Sequence, residues 1–145
     1  MGTLILPATG VVYVDTAPII YSVEKNPQFA ALVDPLWDAL EVGSLEVVSS
    51  ELTLLEVLVV PIRQNDSYLI AAYEQALIGS DLRLLPIDTA ILRAAAELRA
   101  STKLKTPDAI HAATALAVGC AQFITNDGAF RRVPGLNVTV LHEII

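Results

Sequence analysis

The sequence has one cysteine, one methionine, two histidines and only nine basic residues against sixteen acidic ones, and each shortage removes a class of protein. Cys120 has no second cysteine to pair with, so a disulfide-stapled secreted domain is excluded and a reducing cytoplasm is the expected setting. No paired cysteines or closely spaced histidines offer the donors of a zinc site. The N-terminus lacks the cationic stretch of a secretory signal, and Leu6 stands where a myristoylated Met1-Gly2 terminus would want Ser or Thr. Although 54% of the residues are hydrophobic, no apolar run is long enough to cross a membrane. The strongest candidate, residues 109–124, is broken by His111, Thr114, Gly119 and Gln122 and reads as a buried helix followed by a buried strand. Bases are scarcest at the start: residues 1–60 carry eight acids and one base, residues 61–145 eight of each. A non-specific nucleic-acid coat is normally basic, so a net charge of −7 excludes that role. A metal-dependent nuclease stays open, because bound cations neutralise clustered acids.

What is present is an alternation of short β-branched runs with amphipathic stretches. At 145 residues the chain has the size of a single domain, expected to span residues 1–145, with residues 1–10 an N-terminal extension or a start-site artefact. Residues 11–14 read as a strand ending at Asp15, followed through Pro18 by a helix. Residues 28–42 read as two helical pieces, divided where Asp34 caps and Pro35 opens a new turn. A strand over 45–49 gives way at Ser50, an N-cap, to a helix over 51–60 that Pro61 stops or kinks. Residues 66–78 form a further helix ended by Gly79, and a strand over 82–87 precedes a helix capped by Asp88 that runs to about Ala100. Thr106 caps a helix with Pro107 and Asp108 in its first turn and Gly119 at its end, and strands follow over 121–125 and 137–141. The alternation predicts an α/β fold, a three-layer α/β/α sandwich around a mainly parallel sheet of four or five strands.

In such a fold sites gather beyond the carboxyl ends of the strands. Asp15 and Asp127 fall there, and Glu56 and Asp108 lie on helices that can overhang the same edge. A carboxylate directly after a buried apolar strand costs desolvation energy unless a cation or hydrogen bonds compensate. Four such acids point to oxygen ligation of magnesium or manganese, one ion or two, and to metal-assisted hydrolysis.

Val14-Asp15-Thr16, Glu56 within Leu55-Glu56-Val57, Thr106-Pro107-Asp108-Ala109-Ile110-His111-Ala112-Ala113, and Thr125-Asn126-Asp127 resemble, in order and spacing, the successive motifs of PIN domains. The resemblance covers about residues 11–141, and the overall length is similar to that of the VapC group of toxin ribonucleases. It implies that Asp15, Glu56 and Asp108 form a catalytic, metal-binding core, with Asp127 a fourth and more variable acid and Thr125 the hydroxyl that accompanies it. It also implies a divalent-metal-dependent endoribonuclease hydrolysing RNA phosphodiester bonds. In that group the enzyme is the toxin of a type II toxin–antitoxin pair, a homodimer held inactive by a small antitoxin protein. Ala17 departs from the pattern, standing where Ser or Asn is common, so no contact is carried over to that side chain. Arg99, Lys103 and Lys105 precede Asp108, and Arg131 and Arg132 follow Asp127, so both basic clusters flank the acids and are candidates to grip RNA phosphates. Phe130 is the one nearby aromatic, which leaves base preference undefined.

Each residue has a plainer reading beside the sharper one. Asp108 suits the first turn of any helix, Glu56 could be a solvated helix residue despite its apolar neighbours, and Asp127 in Asn-Asp-Gly suits a turn. Thr106 serves as an N-cap and Thr125 as a strand end. His111 reads as a structural histidine rather than one orienting a water or phosphate, His142 as a surface residue and Cys120 as core. Apolar stripes around Ile19-Ile20, Leu36-Trp37-Leu40 and Leu52-Leu55 are either antitoxin and dimer surfaces or core. The competing functions are a PIN-domain nuclease of housekeeping RNA processing and a non-catalytic metal-binding module. A phosphoryl-transfer domain of receiver or phosphatase type is disfavoured, because Asp15 has no second acid in a DxD arrangement and no strand-end lysine completes the set.

Overall fold

Strands whose residues are apolar without alternation need cover on both faces, and β1, Val11–Val14, is the most deeply covered of them, with Val12, Tyr13 and Val14 fully buried. The computed structural model describes residues 2–144. Met1, where the expected extension and the Met1-Gly2 pair begin, lies outside the described residues, as does Ile145. Beyond β1 the chain runs through α1 (Thr16–Val23), α2 (Ala30–Val42), β2 (Glu46–Ser50), α3 (Glu51–Arg63), α4 (Ser67–Leu77) and β3 (Arg83–Leu85). It continues through α5 (Thr89–Thr102), α6 (Thr106–Val118), β4 (Gln122–Thr125) and β5 (Val138–Val140), with two short 3-10 helices after β4 and β5. All five strands pair in parallel, in the order β3-β2-β1-β4-β5. The expected three-layer α/β architecture is therefore observed.

Side-chain alternation along each strand divides the interior in two. Val12 and Val14 of β1, Val47 of β2 and Ile124 of β4 pack with Ile19, Val33, Leu36, Val57 and Tyr73 on one face. Tyr13, Val48 and Phe123 pack on the other face with α5 and α6, through residues such as Ile91, Ala95, Ala109 and Ala112. The run of alanines lets α6 lie close to the sheet. The strand order reverses between β1 and β4, and that switch point is where a parallel sheet opens a crevice at its carboxyl end. Val14 is in register with Ile124, so one further step along both strands brings Asp15 beside Thr125.

Two caps are as expected, Ser50 Oγ accepting from Leu52 N at 3.0 Å and Asp88 Oδ1 from Ile91 N at 2.9 Å, and Asp66, expected as the first helical residue, proves to be a third cap, its Oδ1 accepting from Leu69 N at 3.0 Å. Gly119 ends α6 in the left-handed region at φ 68°, as its lack of a Cβ favours. Other expectations are corrected. Residues 30–42 form one helix rather than two pieces, and Pro35 sits inside it on an exposed face, where water can take up the carbonyl that its missing N–H leaves free. The helix starts two residues later than expected, because the Asn26 side chain accepts from the N–H groups of Gln28 and Phe29 and holds them in a turn. Pro61 likewise neither stops nor kinks α3 at once: the helix runs to Arg63, with Pro61 buried in its last turn. Thr106 is not the cap of α6. Lys105 holds that position with no side-chain cap bond, and Thr106 is already helical.

The segment before β1 is packed rather than appended. Leu4 is 4% exposed in the first core, and the Gln122 amide donates to the Ile5 carbonyl at 2.9 Å and to Thr139 Oγ1 at 2.9 Å. Leu4→Ala is accordingly expected to lower unfolding stability by about 2–3 kcal/mol, read from the denaturant midpoint, while leaving the acid cluster unchanged. A loss under half that size would mean the segment peels away without cost. Among the described residues no helix is long and apolar enough to cross a membrane.

Candidate functional site

Asp15 stands at the switch point, where β1 ends and α1 begins. It is only 8% exposed. Its Oδ2 accepts from Thr125 Oγ1 at 2.6 Å, while its Oδ1 is buried with no hydrogen-bond partner. Burial pushes its carboxyl up to about 6, and the nearby charge of Asp108 pushes the same way, against the Thr125 bond. A buried carboxylate oxygen without a donor is an expensive group, and a cation is what would satisfy it.

The other three acids converge on the same crevice from separate elements. Asp108 lies in the first turn of α6, half-buried, and burial followed by the charges of Asp127 and Glu56 raises its carboxyl. Glu56, on α3, accepts at Oε1 from Thr16 Oγ1 at 2.7 Å and faces His111 Nε2 at 2.8 Å. Burial pushes Glu56 up, but the His111 and Thr16 bonds outweigh it and hold the group below its ordinary value. Asp127 is exposed and fills the turn role its Asn-Asp-Gly setting suggested: Oδ1 accepts from Ala129 N at 2.9 Å and starts the 3-10 helix after β4. Thr125 ties the two ends together, since its hydroxyl also accepts from Asp127 N at 3.0 Å.

Asp108 thus lies in the field of Asp127 and Glu56 and acts in turn on Asp15, an arrangement that a divalent cation would relieve. Among the described residues, no three or more His, Cys, Asp or Glu side chains are grouped closely enough to hold a metal ion together. The donor types present, all oxygen with one orphaned buried atom, suit a hard cation such as magnesium or manganese.

The basic candidates are dispersed in role. Arg99 Nε donates to the Leu104 carbonyl at 3.0 Å, closing the turn after α5, and Arg131 is paired bidentately with Glu143. Lys105 acts on Asp108 electrostatically, lowering its carboxyl slightly against the larger raising effects. Among the described residues Lys103, Lys105 and Arg132 enter no ion pair, and all three are exposed.

Sequence reasoning gave His111 only a structural role and passed over Tyr13. Both are buried beneath the acids, with Tyr13 Oη 2.8 Å from His111 Nδ1. Ser49 Oγ donates to the Val14 carbonyl at 2.7 Å and lies 2.8 Å from Thr53 Oγ1, extending the polar layer under the site. One signal was available: a histidine three residues after Asp108, inside a stretch of small apolar residues, must be buried and must therefore find partners.

A PIN domain family model matches residues 12–136. No curated protein sequence matches the chain. Among solved structures, the chain resembles VapBC2 from Rickettsia felis bound to a DNA fragment from its promoter, with 15% identity, a TM-score of 0.70, and coverage of 90% of this chain and 98% of that one. It resembles a toxin–antitoxin complex from Klebsiella pneumoniae with 25% identity, a TM-score of 0.64, and coverage of 89% and 96%. FitAcB from Neisseria gonorrhoeae aligns at 21% identity and a TM-score of 0.55, over 88% of this chain and 95% of that one.

Proposed function

The chain belongs to the PIN domain family, and from that membership we propose that it is a divalent-metal-dependent endoribonuclease acting as the toxin of a type II toxin–antitoxin pair. The observation that carries the reading is the orphaned Oδ1 of Asp15, buried at the switch point with Asp108 nearby, which in turn feels Glu56 and Asp127. Asp15, Glu56 and Asp108 are the core ligands in this reading, and Asp127 the fourth. A bound magnesium or manganese ion, one or two, would supply a water of low pKa and polarise the scissile phosphodiester. The protein's own contribution is position. Thr125 fixes one oxygen of Asp15 and leaves the other for the ion, while Thr16 and His111 fix Oε1 of Glu56.

RNA would approach a negative crevice, so its phosphates need cationic neighbours. Lys103, Lys105 and Arg132 are the candidates we retain, since Arg99 and Arg131 are engaged elsewhere. Lys105→Ala is expected to weaken RNA binding and to reduce the slope of log affinity against log salt by about 0.7. An unchanged slope removes Lys105 from the grip.

For the antitoxin we assign the groove of about 450 Å³ between α1, α2 and α4, lined by Ile19, Val23, Trp37, Leu40 and Leu82 among others. The toxin–antitoxin complexes among the structural neighbours support a partner of this kind. The exposed stripe of Leu55, Val59 and Ile62 on α3 is the surface we assign to a second copy of the chain. Both the RNA and the antitoxin would be met in the cytoplasm.

Purified protein is expected to cut single-stranded RNA internally in magnesium or manganese and to stop when EDTA is added. RNA left intact in both ions would sink the nuclease reading, and cutting that persists in EDTA would sink its metal dependence.

A further inference from the structure

We propose that Tyr13 locks His111 in the tautomer carrying its proton on Nε2, and that His111 thereby acts as a positioning residue that holds Glu56 at the mouth of the acidic crevice.

His111 is 2% exposed and sits in α6 among Ala109, Ile110, Ala112 and Ala113, all buried. A buried imidazole must satisfy both ring nitrogens, and here each has one close partner. Nε2 lies 2.8 Å from Glu56 Oε1 and 3.3 Å from Thr16 Oγ1; Nδ1 lies 2.8 Å from Tyr13 Oη. An ionised carboxylate is only an acceptor, so the proton between Nε2 and Glu56 belongs to the ring. In the neutral ring Nδ1 is then an acceptor, and the fully buried Tyr13 hydroxyl is placed to donate to it. The Ser49 hydroxyl also lies near Tyr13 Oη, but its own proton goes to the Val14 carbonyl. Glu56 on one side and Tyr13 on the other thus both favour the same tautomer, and Tyr13 is the partner that holds it from within the core.

The chain of consequence runs across three elements. Tyr13 is fixed by its strand, by stacking on Phe123 at 5.1 Å between ring centroids, and by an edge-on approach to the His111 ring at 6.0 Å. His111 is fixed by α6, and Glu56 projects from α3. Thr16 Oγ1 donates to the same Oε1 that His111 holds, so that oxygen is doubly engaged and Oε2 is the one left to face a ligand. A donor behind a ligating carboxylate fixes its orientation in the way that partners of metal ligands generally do. The role of Glu56 in metal binding rests on the function proposed above; the tautomer does not.

Two readouts separate the inference from that function. Long-range proton–nitrogen correlation spectra of uniformly ¹⁵N-labelled protein in EDTA report which ring nitrogen is protonated, with His111 assigned by comparison with His142→Gln. The expected wild-type result is a neutral ring protonated on Nε2, and Tyr13→Phe is expected to shift the His111 pattern toward a mixture of tautomers. A ring protonated on Nδ1 or on both nitrogens would overturn the proposal, as would a pattern unmoved by Tyr13→Phe. The second readout is manganese affinity by calorimetry. His111→Leu is expected to weaken it roughly 10–100-fold, and His111→Gln, whose amide can still donate to Glu56, to restore most of the loss. Equal weakening by Leu and Gln would also overturn it. If the wild-type protein binds no manganese, the proposed function fails and the spectra alone decide the tautomer. If His111→Leu does not fold, the wild-type and Tyr13→Phe spectra decide it.

Discussion

Asp15→Asn is expected to reduce RNA cleavage by on the order of 10³-fold or more while yielding a protein that, in EDTA at pH 8, is at least as stable as the wild type. The two halves of that expectation come from the same atom. Asparagine keeps an oxygen to accept from Thr125 Oγ1 but replaces the charged, partnerless Oδ1 position with a neutral group. A ligand is lost, and so is the burden of burying a charge. The folded-state carboxyl is raised from 3.8 to about 6. Protonated Asp15 therefore contributes stability that is fully present below the unfolded value and is lost as pH rises through about 6. At pH 8 the charged form costs the folded protein roughly 3 kcal/mol, an upper figure for what Asn can recover. Unfolding curves in EDTA should thus separate the variant from the wild type at pH 8 and bring them together near pH 4. Adding manganese should reverse the order, because only the wild type gains stability from binding. A variant less stable than the wild type in EDTA at every pH would mean that Asp15 is held by bonds rather than poised for a cation. Full activity in the variant would remove Asp15 from the site.

The acids themselves were legible because their signal is local: an apolar strand that ends on a carboxylate announces a cost that something must offset. Ser50 and Asp88 were legible for a related reason, since a cap is a relation between residues two or three apart. What escaped notice depends on groups far apart in sequence. Tyr13 and His111 are separated by 98 positions, and nothing near either residue indicates the other. Arg131 read as a phosphate grip because Glu143 is twelve residues away, and only the fold brings them together. The prolines were misread for a different reason. Pro35 and Pro61 were treated as boundaries, yet a helix continues past Pro35, which sits on an exposed face, and past Pro61 for the two residues that remain of its last turn. Leu4 had no local pattern at all, and its burial depends on Gln122 holding the backbone at Ile5.

Thr125 offers the most discriminating second test, because its hydroxyl serves Asp15 and Asp127 at once and its methyl group serves the core. It is fully buried. Thr125→Val preserves shape and removes the donor to Asp15 Oδ2, leaving both oxygens of a buried carboxylate without a partner. Loss of a hydrogen bond to a charged group costs about 1.5–3 kcal/mol, and the cost falls only while Asp15 is ionised. The Thr125 bond is the largest of the influences that lower the Asp15 carboxyl, so its loss raises that carboxyl further. The destabilisation should accordingly be greatest at pH 8 and shrink as pH falls below about 6. Cleavage should drop roughly 10–100-fold, the usual effect of removing a group that orients a metal ligand. The Asp127 N–H also loses its acceptor, but it lies near the surface, where water can substitute. Thr125→Ser is the necessary companion, since it retains the hydroxyl and deletes only the methyl. That variant should lose about 1 kcal/mol of stability at every pH and keep most of its activity. If Val and Ser prove alike in activity and in the pH dependence of stability, the hydroxyl is not what holds Asp15, and the orphaned oxygen must owe its place to the strand alone.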